Sequence, residues 1–167
     1  MCGIFGVFNY HGDTHAFRQR ALDLSKRIRH RGPDWSGCVV AGNSIICHER
    51  LAIVGLDTGA QPLTTEDEGI ILTVNGEIYN HKQLEKELTA PTVFKTHSDC
   101  EVILHMYKEI GVDVCAKLDG MFSWALLDRR VPEQPRLVAA RDPIGITTLY
   151  VGRVAAHPET VFIASEL

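Results

Sequence analysis

The sequence predicts an α+β fold. A β-branched and aromatic run starts almost at the N-terminus, two later segments carry helical spacing, and the last third is a series of strand-length apolar runs joined by short turns. Consecutive strands with short links pair antiparallel, and helices set apart from them, not alternating one for one, give the α+β class.

Gly3-Ile4-Phe5-Gly6-Val7-Phe8 is too short for a helix and reads as a strand, with Cys2 at its head. From Ala16 to Ile28 the apolar positions Ala16, Ala21, Leu22, Leu24 and Ile28 fall at helical spacing, which predicts a helix lying over that strand. His30-Arg31-Gly32-Pro33-Asp34 is punctuated as a turn, and strand-like runs follow at 37–40 and 44–47 with a hairpin around Gly42-Asn43. Ile70 to Val74 reads as a buried strand that stops at a tight turn over Asn75-Gly76, since an Asn-Gly pair commonly marks positive φ. Ser98-Asp99-Cys100-Glu101 matches a capping box. Val102, Ile103, Met106, Tyr107 and Ile110 then supply an apolar face, and the helix ends at Gly111. Further strands are predicted at 121–127, 137–140, 148–151 and 161–164, with surface loops at 131–135 and 155–159.

A length of 167 residues suits one domain with a substantial core, and 45% apolar with 23% charged residues excludes a disordered tail or a membrane protein. The net charge of -4, from 21 acidic and 17 basic side chains spread along the chain, argues against nucleic acid as a partner. Met1 to Phe8 is too short an apolar stretch, and lacks the basic lead, to read as a targeting or spanning segment. Cysteines at 2, 38, 47, 100 and 115 form no CxxC pair, and their odd number fits free thiols in a reducing compartment, hence the cytoplasm. Cys38, Cys47 and His48 are soft metal ligands by type, but their spacing matches no zinc pattern, and no metal is expected. The eight histidines show no ligand spacing and are assigned no role. The chain stops at Leu167 directly after a predicted strand, the expectation for a domain cut from something longer.

Chemistry concentrates at the start. A Cys at position 2 followed by Gly is an arrangement from which the initiator Met is removable, leaving thiol and α-amine on one residue. With reference pKa values of about 8.5 and about 7.7 to 8.0, the amine can take the thiol's proton near neutral pH, and no catalytic histidine is required. Taken alone, Cys2 reads more readily as a small buried apolar residue.

Six segments in register add to this. Met1-Cys2-Gly3-Ile4-Phe5-Gly6, Arg29-His30-Arg31-Gly32-Pro33-Asp34, His48-Glu49-Arg50-Leu51-Ala52-Ile53, Asn75-Gly76-Glu77-Ile78-Tyr79-Asn80, Ser98-Asp99-Cys100-Glu101 and Ala140-Arg141-Asp142-Pro143-Ile144-Gly145 together resemble the glutaminase domain of glutamine-dependent asparagine synthetases. The resemblance runs from residue 1 to residue 167. It implies a class II, N-terminal-nucleophile amidotransferase with an αββα sandwich of two antiparallel sheets between helical layers.

The resemblance also implies roles. Cys2 is the nucleophile, and Asn75 and Gly76 stabilise the oxyanion formed when the thiolate attacks the side-chain amide of L-glutamine. Arg50 grips the α-carboxylate, Asp99 with Glu77 receives the α-ammonium, and Leu51, Ile53 and Val54 join Asn75 and Gly76 in the glutamine pocket. Plainer readings stand beside these: an ion pair for Arg50, a first-turn acid for Asp99, an ordinary turn for Asn75-Gly76. His30 to Asp34 is expected to pack over the nucleophile and Arg141-Asp142-Pro143 to turn beneath it. The resemblance places ATP and Mg, with aspartate activation, in a synthetase domain beyond Leu167 that receives the ammonia. No cofactor is expected in these residues, which contain no P-loop, and a homodimer is a further partner expectation. Other class II amidotransferases, serving hexosamine or purine synthesis, are the runner-up. A non-catalytic partner domain is the reading if Met1 is retained, because an acylated amine is no base.

Overall fold

The structure, a computed structural model, describes residues 1–52 and 59–167. Its elements, in chain order, are β1 (Gly3–Phe8), α1 (Thr14–Ser25), β2 (Trp35–Ala41), β3 (Ser44–Arg50), β4 (Leu63–Thr64), β5 (Ile70–Ile78), α2 (His81–Glu87), α3 (Glu101–Ile110), β6 (Gly120–Asp128), β7 (Arg136–Arg141), β8 (Tyr150–Val154) and β9 (His157–Ala164). The strands form two antiparallel sheets, in the orders β2-β3-β1-β9-β8 and β4-β5-β6-β7.

Alternation along β1 builds two cores at once, because successive side chains of a strand point to opposite faces. Ile4 and Phe8 face the second sheet, meeting Ile71, Ala125 and Leu127. Phe5 and Val7 face α1, where Ala21 and Ile28 cover them together with Ile45 and Cys47. On the far face of the second sheet, α2 and α3 lay Leu84, Ile103, Met106 and Tyr107 against Leu72, Val74, Trp124 and Leu126. The result is the αββα sandwich. Each fully buried Leu or Ile in these layers contributes about 1.5 to 3 kcal/mol.

Most element positions agree with the sequence reading, and the differences have local causes. Helix α1 starts two residues before Ala16, where Asp13 caps it by accepting from the N–H groups of His15 (2.8 Å) and Ala16 (3.3 Å), and Ala16 is on the solvent side. The β2–β3 hairpin closes through Gly42 at φ 61°, the position where a two-residue turn requires positive φ. The expected tight turn at Asn75-Gly76 is absent: β5 runs unbroken to Ile78, and Asn75 and Gly76 pair with Ser123 and Phe122. Gly76 is there for a close approach, since at φ 150° a Cβ would sit 2.1 Å from the Met121 carbonyl oxygen.

The capping box is also rearranged. Helix α3 begins at Glu101 with Cys100 as its N-cap, and Ser98 Oγ accepts from Cys100 N at 3.3 Å. Glu101 does not reach back to Ser98; its carboxylate accepts from the N–H groups of Lys95 and Thr96, each at 2.7 Å. Asp99 therefore precedes the helix and is not inside its first turn. Of the two expected loops, 131–135 is one, whereas 155–159 reduces to a two-residue turn at Ala155-Ala156 before β9. Short α2 and two-residue β4 were not anticipated. Among the described residues, no helix is long and apolar enough to cross a membrane.

Candidate active site

Six chain segments converge at one end of the sandwich: the head of β1, the end of β3, the approach to β4, the last residues of β5, the approach to α3 and the start of β6. They enclose a pocket of about 100 Å³ whose lining includes Met1, Cys2, Arg50, Leu51, Gln61, Asn75, Gly76, Glu77, Asp99 and Met121. Every sequence-predicted site residue within the described part of the chain lies here. Ile53 and Val54 fall outside the described residues.

Cys2 is half-buried, and the Leu51 backbone holds its sulfur: Leu51 N–H donates to Sγ at 3.4 Å, and the thiol faces Leu51 O at 3.7 Å. Burial pushes the Cys2 thiol above its ordinary pKa. The Leu51 N–H, the terminal ammonium and the guanidinium groups of Arg50 and Arg31 pull the other way. Arg31 Nε donates to the Cys2 carbonyl at 3.0 Å, and Arg31 Nη1 donates to Glu166 at 2.8 Å. The turn over the nucleophile is thereby tied both to the nucleophile's backbone and to the end of the chain.

Asn75 is completely buried on β5, and neither its Nδ2 nor its Oδ1 has a hydrogen-bond partner among the described residues. Buried polar groups are rarely left so, and each exception asks for an explanation. Asp99 Oδ2 accepts from Ile78 N at 2.6 Å, which fastens the loop before α3 to the end of β5 and sets the carboxylate at the pocket wall. Arg50 is buried at the end of β3, one residue before the backbone that grips the thiol.

Gln61 went unnoticed in the sequence. Its side-chain amide accepts from Val74 N (2.7 Å) and donates to Val74 O (3.1 Å), continuing the ladder where β4 has stopped and fixing the residue next to Asn75. An isolated Gln-Pro in a loop carries no pattern that would have revealed it. Met121 was read only as strand, and Ser98 and Cys100 as a helix start and part of a family motif with no role in the pocket, yet all three line it. Asp142 turns the chain after β7: its carboxylate accepts from Phe122 N, Ile146 N and Thr147 N at 3.0 to 3.3 Å. Cys38 and Cys47 face each other, and no group of three or more potential metal ligands occurs among the described residues.

A thiol at the head of a central strand, in one pocket with a buried amide that has no hydrogen-bond partner among the described residues, suits acyl transfer from an amide. Residues 1–167 match the family model of a glutamine amidotransferase domain, and the chain belongs to that family. It is 58% identical over its whole length to asparagine synthetase [glutamine-hydrolyzing] 1 of Saccharomyces cerevisiae, and 55% identical to a probable asparagine synthetase [glutamine-hydrolyzing] of Schizosaccharomyces pombe. It spans 28% and 29% of those relatives' lengths. Among solved structures, the glutamine phosphoribosylpyrophosphate amidotransferase of B. subtilis shares the fold with a TM-score of 0.73 at 23% identity, over 98% of this chain and 42% of that one.

Proposed function

We propose that this domain hydrolyses the side-chain amide of L-glutamine through a thioester on Cys2. In this reading Met1 is removed, which frees the α-amine of Cys2 and clears a side chain from the pocket wall. The amine takes the thiol proton, and the thiolate attacks the amide carbon of glutamine. The oxyanion is received by Asn75 Nδ2 and the Gly76 N–H. Collapse of the tetrahedral species breaks the C–N bond, and the ammonium returns its proton to the leaving ammonia. Water, deprotonated by the same amine, then cleaves the thioester to glutamate. Arg50 and Asp99, of opposite charge on the pocket wall, suit the α-carboxylate and α-ammonium of the substrate, with Leu51 and Glu77 beside them.

The observation that carries the reading is the buried carboxamide of Asn75, without a hydrogen-bond partner among the described residues, in the same pocket as the Cys2 thiol. The test is ammonia release from glutamine without ATP, in protein whose mass shows Met1 removed. Cys2→Ala should abolish it, and equal rates in the two proteins would remove Cys2 as nucleophile. Protein that keeps Met1 should be inactive.

The high identity to asparagine synthetases over the whole chain favours asparagine synthesis as the use of the ammonia, in a longer protein whose synthetase part takes aspartate, ATP and Mg. This domain's chemistry then needs no cofactor of its own. Five unpaired thiols support a cytoplasmic setting. In that longer protein, Cys2→Ala should stop glutamine-dependent asparagine formation and spare the ammonia-dependent reaction.

A further inference from the structure

We propose that Cys38 and Cys47 form a redox-convertible pair, in which Cys38 reacts first, attacking a small-molecule disulfide, and Cys47 resolves the mixed disulfide into an internal one. The two residues stand directly opposite one another on β2 and β3, with their sulfurs 3.3 Å apart. Counting from the closing pair Ala41–Ser44 of a two-residue hairpin, Cys38–Cys47 is a non-hydrogen-bonded pair, the kind in which opposing side chains lie closest. Closure to the S–S distance of about 2.05 Å needs side-chain rotation and no strand rearrangement.

The surroundings set the order of events. Cys38 is half-buried on an edge strand, whereas Cys47 is buried under α1, so an outside reagent reaches Cys38. The Cys47 thiol donates to the Cys38 sulfur, and this hydrogen bond, opposed by burial and helped by the nearby Arg18, lowers the Cys38 pKa to about 7. The same bond, together with burial, pushes Cys47 the opposite way. The Cys38 thiolate attacks one sulfur of the small disulfide, breaking its S–S bond and releasing one thiolate. Cys47 then attacks the Cys38 sulfur, releasing the second, and the protons of the two cysteines pass to the two leaving thiolates. Two protein thiols are oxidised and one small disulfide is reduced to two thiols. The pair lies on the α1 face of the sheet, away from the pocket that holds Cys2. Cys115 is exposed and is not part of it, so it stops at the mixed disulfide.

The probe is oxidised glutathione, applied to the folded chain near neutral pH, followed by acid quench, alkylation and peptide mass mapping of each cysteine. The expected product is a Cys38–Cys47 linked peptide two hydrogens lighter than the reduced pair, with glutathione on Cys115 only as a mixed disulfide. Cys47→Ser should accumulate glutathione on Cys38, and Cys38→Ser should leave Cys47 free to be alkylated after denaturation. Stable glutathione on Cys38 of the unaltered chain, or a linked peptide that appears only after addition of urea, would overturn the proposal.

Discussion

Asn75 keeps a whole carboxamide buried with no hydrogen-bond partner among the described residues, and each such group costs about 1 to 3 kcal/mol when desolvated. Asn75→Ala should therefore lower kcat by about 100 to 1,000-fold with little change in KM, while leaving the melting temperature unchanged or higher. Steady-state kinetics and a thermal melt on one preparation check both halves, and a destabilised but active variant would make Asn75 a packing residue. The turn-residue alternative for Asn75 no longer stands, because the residue lies inside a strand. Arg50 and Asp99 face the same pocket with opposite charges. Arg50→Ala should raise KM by about 10 to 150-fold, the equivalent of losing a charge-assisted contact of about 1.5 to 3 kcal/mol. Asp99→Asn retains a carbonyl oxygen for the Ile78 N–H and removes only the charge, so it should raise KM with the fold intact by circular dichroism. Unchanged KM in both would take them out of the substrate pocket.

At the scale of elements, β5 and its supports decide how well Asn75 is aimed. Gln61 stands in for a missing strand segment, so Gln61→Leu should strip both Val74 backbone groups of their partner, cost about 1 to 3 kcal/mol, and lower kcat by releasing the neighbouring residue. Chemical denaturation and turnover of that variant test it; full stability with full activity would make Gln61 incidental. Gly76→Ala should fail more severely, because its Cβ would overlap the Met121 carbonyl. Periodicity and turn chemistry made β1, α1, α3 and the β2–β3 hairpin legible, since each is specified by residues close in sequence. The Asn-Gly signal misled for a physical reason: the glycine is demanded by the neighbouring strand β6 and not by a local bend. In the same way Glu101 satisfies the chain at Lys95 and Thr96 and not at Ser98, a choice that depends on how the preceding loop folds back. The site residues were legible through the six-segment resemblance; Gln61 and Met121, whose positions follow from sheet assembly, were not.

For the whole molecule, no local pattern says that β1 should lie between β3 and β9, and the sandwich could be named in advance only by resemblance. That packing buries His48 between the sheets, with Nδ1 2.9 Å from Thr73 Oγ1, and burial, aided by the charge of Arg50, lowers its pKa to about 3. Between about pH 6.5 and pH 3 the unfolded chain binds a proton there that the folded chain refuses, so stability falls as pH falls, by up to about 1.4 kcal/mol per unit. Glu101, held down to about 2 in spite of burial by His105, Thr96 and Lys95, adds its own loss below its ordinary value near 4.5. His48→Gln should flatten the stability profile from about pH 6.5 to 4.5 and leave the steeper loss below it, as equilibrium unfolding at a series of pH values would show. An unaltered profile would assign the acid sensitivity to carboxylates alone. The placement of β1 has one more consequence, in the time dimension of synthesis. Among these nine strands the one that carries the nucleophile is made first, yet one of its two neighbours, β9, is made last of the nine, and Ser165 bonds back to Ile4 through both backbone and side chain. At about 5 to 20 residues per second the first strand waits on the order of 10 to 30 seconds for its partner. Until then the thiol's strand has no completed sheet, and a nascent chain carries its nucleophile exposed and without the frame that positions it.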